Sequence, residues 1–192
     1  MNMSSEGEFP MEGGPMIGLQ RKIVKLAPYS PEWKRFFAEE EHLLRASIGA
    51  YVVDIQHVGS TAIPGLEAKP IIDIAVALRR LEDVGKCIEP LKRLGYEYKG
   101  EEGHPGRFFL AKGDPRRRTH YLHMVEWNSD SWKELLRFRD YLRQHKEVAE
   151  EYARLKRELA QKSQGNRDLY TPGKAEFIET VLRMAEDENH SG

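Results

Sequence analysis

Apolar positions along this chain change period several times, and the changes mark its elements. Trp33, Phe36, Phe37, Leu43, Leu44 and Ile48 recur at helical spacing, with Glu40 among them. Ser30-Pro31 supplies a cap followed by a first-turn proline, and Gly49 supplies a stop, so a helix is predicted between them. Its apolar stripe reads as core. Residues 51–58 read as a strand and 59–69 as a loop containing Gly and Pro. Residues 70–78 (PIIDIAVAL) form a nearly continuous, β-branched apolar run, the pattern of a strand covered on both faces. Leu81, Val84, Ile88 and Leu91 make one side of a helix that Gly95 ends. Strands are predicted at 96–99, 107–112 and 119–127, with Gly113-Asp114-Pro115 turning the chain between the last two. Helices are predicted at 132–143 and 146–161, the second with an inward stripe of Val148, Tyr152, Leu155 and Leu159. Thr171-Pro172 opens a last helix carrying Phe177, Ile178, Val181 and Leu182. With a short strand at 21–26, the order is β-α-β-β-α-β-β-β-α-α-α. This predicts an α+β fold: a mixed sheet flanked by helices, with a C-terminal helical segment. Residues 1–18 lack any period and read as a flexible arm, 19–186 as a single domain, and 187–192 as a frayed tail.

Composition narrows the function. In 192 residues, 30 Lys and Arg oppose 31 Asp and Glu, a net charge of −1. That speaks against a strongly basic nucleic-acid binder. The single Cys87 rules out an intramolecular disulfide and a multi-cysteine zinc site, and its apolar helical setting predicts a buried, inert thiol. No apolar run approaches the roughly 18 residues of a membrane span, and no secretory leader is visible, so a cytoplasmic protein is expected.

The stretch from His57 to Ile74 carries the chemistry. A strand runs into Gly59-Ser60-Thr61, and a loop leads through Lys69 to a strand bearing Asp73 among apolar neighbours. Gly59 lets a backbone N–H approach an anion closely. Ser60 and Thr61 add hydroxyls, and Lys69 adds positive charge. Asp73 offers a hard oxygen to Mg2+ bridging to phosphate. The structural alternative is a plain turn beside a hydrogen-bonded strand aspartate; a carboxylate in an apolar strand needs a partner, which favours the site.

His57-Val-Gly-Ser-Thr-Ala-Ile-Pro-Gly-Leu and Ala68-Lys-Pro-Ile-Ile-Asp-Ile resemble the signature of the GrpB family, which is assigned to the nucleotidyltransferase superfamily. Further echoes are Arg118-Thr-His-Tyr-Leu-His-Met-Val, Leu136-Arg-Phe-Arg-Asp-Tyr-Leu-Arg, Tyr152-Ala-Arg-Leu-Lys, and Tyr170 with Lys174. The resemblance runs from about Ile23 to Met184. It implies a sheet of the nucleotidyltransferase type, a Gly-Ser turn that holds nucleotide phosphates, and paired strand carboxylates that hold two metals for in-line transfer. It also implies an association with a dephospho-CoA kinase domain, to which such domains can be fused.

Here Asp73 matches the first carboxylate, but the second position is Ala75. Gln56 stands where the family usually has a glutamate. Alternation along 119–127 places His123 with Tyr121 and Val125, and His120 with Leu122, Met124 and Glu126. His123 is the better candidate for a metal or substrate contact, Glu126 a weaker third carboxylate, and a His57–His123–Asp73 cluster a candidate transition-metal site. Lys112–Arg118, with net charge +3, is either a solvated hairpin turn or a phosphate clamp. Arg107, Arg139, Lys156, Tyr170 and Lys174 are further phosphate-binding candidates, with a surface ion pair or a snorkelling lysine as the competing readings for the helical ones.

Two functions are therefore expected. One is a Mg2+-dependent nucleotidyltransferase-like protein acting on a nucleotide and a small acceptor, with Asp73, Ser60 and His123 in the chemistry. The other is a non-catalytic nucleotide- or phosphate-binding module on the same fold, which Ala75 favours. A zinc hydrolase built on the histidines is a third reading. Acceptor, base preference and oligomeric state are left open.

Overall fold

The computed structural model describes residues 17–191. Five strands form one mixed sheet in the order β1-β2-β5-β4-β3. They are β1 (Val52–Val58), β2 (Ile72–Leu78), β3 (Tyr96–Gly100), β4 (Arg107–Lys112) and β5 (His120–Glu126). β2 and β5 are parallel, and every other pair is antiparallel. A parallel pair needs a long crossover, which here comprises a helix and the β3–β4 hairpin.

One sheet face is the main core. Helices α1 (Glu32–Ile48) and α2 (Val84–Arg93) lay Trp33, Leu44, Ile48, Cys87 and Leu91 on Ile72, Ile74, Val76, Leu122 and Met124. The predicted stripe of α1 is thus core, although Leu43 is exposed. Ser30 Oγ accepts from the Glu32 N–H at 3.3 Å, but Pro31 rather than Ser30 holds the cap position and the helix opens one residue later than expected. Cys87 is fully buried, and burial pushes its thiol up to about 11.

Glu40 explains its place in an apolar stripe. It is 4% exposed and reaches across the sheet, accepting from Tyr96 Oη at 2.9 Å and from Lys112 Nζ at 2.9 and 2.7 Å. Glu40→Ala strands both partners. Lys112 keeps some solvent access, so the expected loss is about 2–3 kcal/mol in a urea titration; a change under ~0.5 kcal/mol would show the cluster to be energetically idle.

The other sheet face is covered by α3 (Asp130–Gln144), α4 (Lys146–Lys162) and α6 (Ala175–Ser191), with a single turn, α5 (Arg167–Tyr170), between the last two. Ser129 caps α3 by accepting from the Trp132 N–H at 3.3 Å. Trp132 packs on Val58, Ala75, Ala77 and Val125, while Tyr141, Leu142, Val148, Tyr152 and Val181 join the three helices around Ile63 and Leu66. Residues 187–191, read as a frayed tail, continue α6.

The predicted strand at 21–26 is absent. Residues 17–27 instead touch three separate parts of the fold through single bridges. Gly18 N–H donates to Pro70 O, Leu19 pairs with Arg118, Val24 N–H donates to Gly165 O, and Ala27 pairs with Ala68. Ile17 and Gly18, assigned to the flexible arm, belong to this lacing, with Arg117 Nε donating to Ile17 O at 3.3 Å. The rest of the arm, 1–16, lies outside the described residues.

Candidate functional site

The pocket opens on the α3–α6 side of the sheet, where β2, β5 and β4 present Asp73, Tyr121, His123, Arg107 and Phe109. Strand pairing sets this up. Val58 faces Asp73 across β1–β2, Asp73 faces Tyr121 and Ala75 faces His123 across β2–β5, and Phe109 faces His123 across β4–β5. Laterally paired residues share a face, so one side of the sheet collects the polar groups. The cavity is about 300 Å3, at the lower end of ordinary ligand sites.

Gly59 shapes its floor. It has φ 69 and ψ −172, a conformation closed to ordinary residues, and an added Cβ would lie 2.8 Å from Asp73 Oδ2. The turn and the aspartate therefore meet, as the phosphate-site reading requires. Residues 60–62 follow as one 3-10 turn, placing Ser60 in the cavity wall. Thr61 also lines the cavity, but its hydroxyl pairs with His57 Nε2 at 2.9 Å.

Lys69, Arg107, Lys156, Arg167 and Lys174 converge here, against the carboxylates of Asp73 and Glu134. Lys69, Arg107 and Lys174 form no ion pair within 4.0 Å among the described residues. Aromatic faces partly replace one: Lys69 Nζ is 5.9 Å and Lys174 Nζ 4.6 Å from the Tyr170 ring centroid, and Lys156 Nζ is 4.9 Å from that of Tyr152. Lys156 also donates to Glu67 O. Burial, reinforced by neighbouring cations, brings Lys69 and Lys156 down to about 7 and Lys174 to about 8. Burial also lowers Arg107, opposed by Asp73 and Glu134. Lys174 and Thr171 stand just before α6, whose N-terminal dipole adds to the positive potential.

Asp73 Oδ1 lies 3.3 Å from His123 Nε2. Burial raises the aspartate, but the His123 hydrogen bond and the charges of Lys69 and Lys174 outweigh it, leaving the carboxyl below its ordinary range. Burial holds His123 below its ordinary value against the pull of Asp73. Its Nδ1 is buried without a hydrogen-bond partner among the described residues.

Several candidates lie elsewhere. His57 points to the opposite sheet face, where it stacks on Phe37 with ring centroids 5.0 Å apart, so a His57–His123–Asp73 metal cluster does not form. Arg139 is buried beneath β1, donating to Gln56 Oε1 at 2.8 Å and His57 O at 2.9 Å, and its other nitrogens hold Asp140. Gln56 is thus a partner of Arg139, away from the cavity. Glu126 accepts from the Leu81 N–H at 3.1 Å at the sheet's far end. His120 is buried on the α1 side, 3.9 Å from Glu40. In the 112–118 turn, Arg116 pairs with Asp114, and Arg118 is buried against Glu97 and Gly113 O; none of the three arginines lines the first cavity. Conversely, Arg167, Tyr121 and Tyr152 also line the site, where no local sequence pattern marks them as site residues. Arg167 Nη1 donates to Tyr121 Oη at 3.2 Å. Arg167 sits in a polar stretch without period, and the spacing of Tyr152 is that of a core stripe.

The residues do not fit a carboxylate-held metal pair. Ala75, at the second position, is fully buried under Trp132. Among the described residues no three His, Cys, Asp or Glu side chains converge to hold an ion. Two carboxylates facing five cationic side chains are instead a setting for anions.

Similarity to known proteins agrees with the motifs. Residues 23–184 match the family model described as GrpB protein. A glutamate-rich protein GrpB of Alkalihalophilus pseudofirmus is 42% identical over 171 residues, covering 87% of this chain and 98% of the relative. YqkA of Bacillus subtilis is 40% identical over 165 residues, covering 86% of this chain; the chain spans about half of YqkA, 48%. A dephospho-CoA kinase of Mycolicibacterium paratuberculosis is 26% identical over 195 residues, 88% of this chain and 47% of the kinase. The crystal structure of conserved protein GrpB from Enterococcus faecalis superposes with a TM-score of 0.80 at 36% identity, covering 86% of this chain and 99% of that one. No helix among the described residues is long and apolar enough to cross a membrane. Fold, motif positions and relatives of matching length agree: this chain belongs to the GrpB family.

Proposed function

We propose that the cavity binds a nucleotide or a related phosphorylated small molecule on a nucleotidyltransferase-like scaffold. The observation that carries this reading is the set of five cationic side chains, Lys156 buried and the others half-buried, none with an ion-pair partner within 4.0 Å among the described residues, gathered round Gly59 and Asp73. Such charge is costly to bury and is relieved by a bound anion. Phosphates would lie against Lys69, Arg107 and Lys174, with the Ser60 turn beside them. Phe109, Phe138 and Leu135 supply an apolar wall for the remainder of the ligand.

Titration calorimetry with ATP and inorganic pyrophosphate, each with Mg2+ and with chelator, tests this. Binding that survives chelation and weakens about tenfold in Arg107→Gln or Lys174→Gln is the expected result. Absence of binding by either compound overturns the reading.

A pH dependence follows. Around pH 7 Lys69 and Lys156 are each about half protonated in the free protein, and a bound polyphosphate raises both. Binding should therefore take up about one proton, and affinity should fall about tenfold per unit above pH 7. Calorimetry in Hepes and Tris, whose ionisation enthalpies differ, reads that proton count directly. No uptake would mean that the lysines stay outside the contact.

Nucleotidyl transfer is the second reading, favoured by the contact of Asp73 with the Gly59 turn. Mg2+-dependent release of pyrophosphate from a nucleoside triphosphate, abolished in Asp73→Ala, would support it; binding without turnover supports the module. A pairing with a dephospho-CoA kinase domain is the partner proposal that the family resemblance carries.

A further inference from the structure

A second cavity, about 350 Å3, lies beside the first, and Phe109, Tyr121, Arg167 and Thr171 line both. Its remaining charged groups fall into two classes, with cations outnumbering the carboxylates of Glu102 and Asp168, of which Glu102 forms no ion pair within 4.0 Å among the described residues. Some are already paired: Lys22 is 3.8 Å from the exposed Asp168, and Lys99 and Arg118 share Glu97. Arg21 is not; its guanidinium forms no ion pair within 4.0 Å among the described residues.

Arg21 and Arg167 thus both line the second cavity, Arg167 in the wall that it shares with the first. Arg167 lies 5.3 Å from the Tyr121 ring centroid and spends one N–H on the Tyr121 hydroxyl, leaving donors toward either side. Burial and, less strongly, Asp73 raise the Tyr121 hydroxyl, and the charges of Arg167, Arg118 and Arg21 oppose that shift, so Arg21 and Arg167 are among three cations that act on the same oxygen. The backbone fixes the pair: Arg21 N–H donates to Pro115 O at 2.7 Å, and Arg167 N–H donates to Lys22 O at 3.0 Å. Two guanidinium forks lining one cavity, Arg167 at the tyrosine hydroxyl and Arg21 on an exposed residue, suit the oxygens of a phosphate.

We propose that this second cavity is a phosphate subsite continuous with the first, and that the protein holds two phosphate groups at once. The first lies against Lys69, Arg107 and Lys174, and the second between Arg21 and Arg167, with Arg167 serving both. This rests on the function proposed above and adds its ligand class: either two phosphorylated molecules, as donor and acceptor, or one molecule phosphorylated at both ends.

Calorimetry with inorganic pyrophosphate and with the longer inorganic tetraphosphate tests it. If the groups come from separate molecules, pyrophosphate binds with two equivalents. Arg21→Ala then weakens one of them at least about fivefold, and Arg167→Ala weakens both. If they belong to one molecule, pyrophosphate binds once, and tetraphosphate binds more tightly and loses that gain in Arg21→Ala. Either pattern supports the subsite. One equivalent of each probe, sensitive to Arg107→Gln but indifferent to Arg21→Ala, overturns the subsite and leaves the first reading standing; no binding of either probe overturns both. Arg21 has no side-chain ion pair to lose, and an unchanged melting curve with Arg21→Lys restoring affinity separates lost charge from lost fold. Arg154→Ala, on the exposed side of α4, is the control.

Discussion

Gly59→Ala should cost about 2–4 kcal/mol of stability and abolish anion binding. Two effects add. The backbone at φ 69 and ψ −172 is strained for any L-residue. The new Cβ would also stand 2.8 Å from Asp73 Oδ2 and 3.0 Å from Asp73 Cβ. Asp73 cannot retreat, because it sits in a central strand between Ile72 and Ile74, both fully buried. The turn must therefore move, taking Ser60 and the Thr61–His57 contact with it. Gly65 is the internal comparison. Its φ is also positive, at 80, but nothing lies within 4 Å of an added Cβ. Gly65→Ala should cost only about 1 kcal/mol and leave anion affinity intact. Equal losses in the two variants, by urea titration, would remove the contact between turn and aspartate from the account.

Asp73→Asn should destabilise the free protein and strengthen its response to anions. The carboxylate accepts from His123 and faces Lys69 and Lys174, and the amide keeps the shape without the charge. Its side chain is partly open to the cavity, so the expected loss is about 1–3 kcal/mol rather than that of a fully buried pair. The pH course follows from the depressed carboxyl. Its contribution is complete above the unfolded value of 3.8 and is lost as pH falls through the lower folded value. Wild type and variant should therefore converge in strongly acidic solution. Pyrophosphate should restore the melting temperature of the variant by more than it raises that of wild type, since an uncompensated cationic pocket gains more from an anion. An equal gain in both would place the anion away from Asp73.

Much of this arrangement was legible because it rests on short periods. Alternation on one strand was enough to separate His123 and Tyr121 from His120, and the two sets do face opposite sides. The Gly59-Ser60 turn, Lys69 and Asp73 lie close in sequence, so their convergence needed only one strand pairing. Lys156, Tyr170 and Lys174 were supplied by motif resemblance. Other features depend on distant partners that no local pattern records. Arg139 reads equally as a substrate contact or an ion pair, and it is the ion pair with Asp140 that forms, with β1 taking the rest of its guanidinium. Ala75 looked like a missing ligand, yet it is a small residue that lets Trp132 pack on the sheet. Residues 21–26 carry strand-like composition but make isolated bridges, because successive residues meet different segments.

That lacing has a consequence for how the molecule is made. The backbone bond from Val24 to Gly165 and the one from Arg167 to Lys22 join positions some 140 residues apart. On a ribosome, the sheet's own pairings can close while the last helices are still inside the tunnel, but the wall carrying Arg167 cannot. Contacts of such wide separation are entropically slow to form, so the binding chamber should mature last, after the sheet is already protected from exchange.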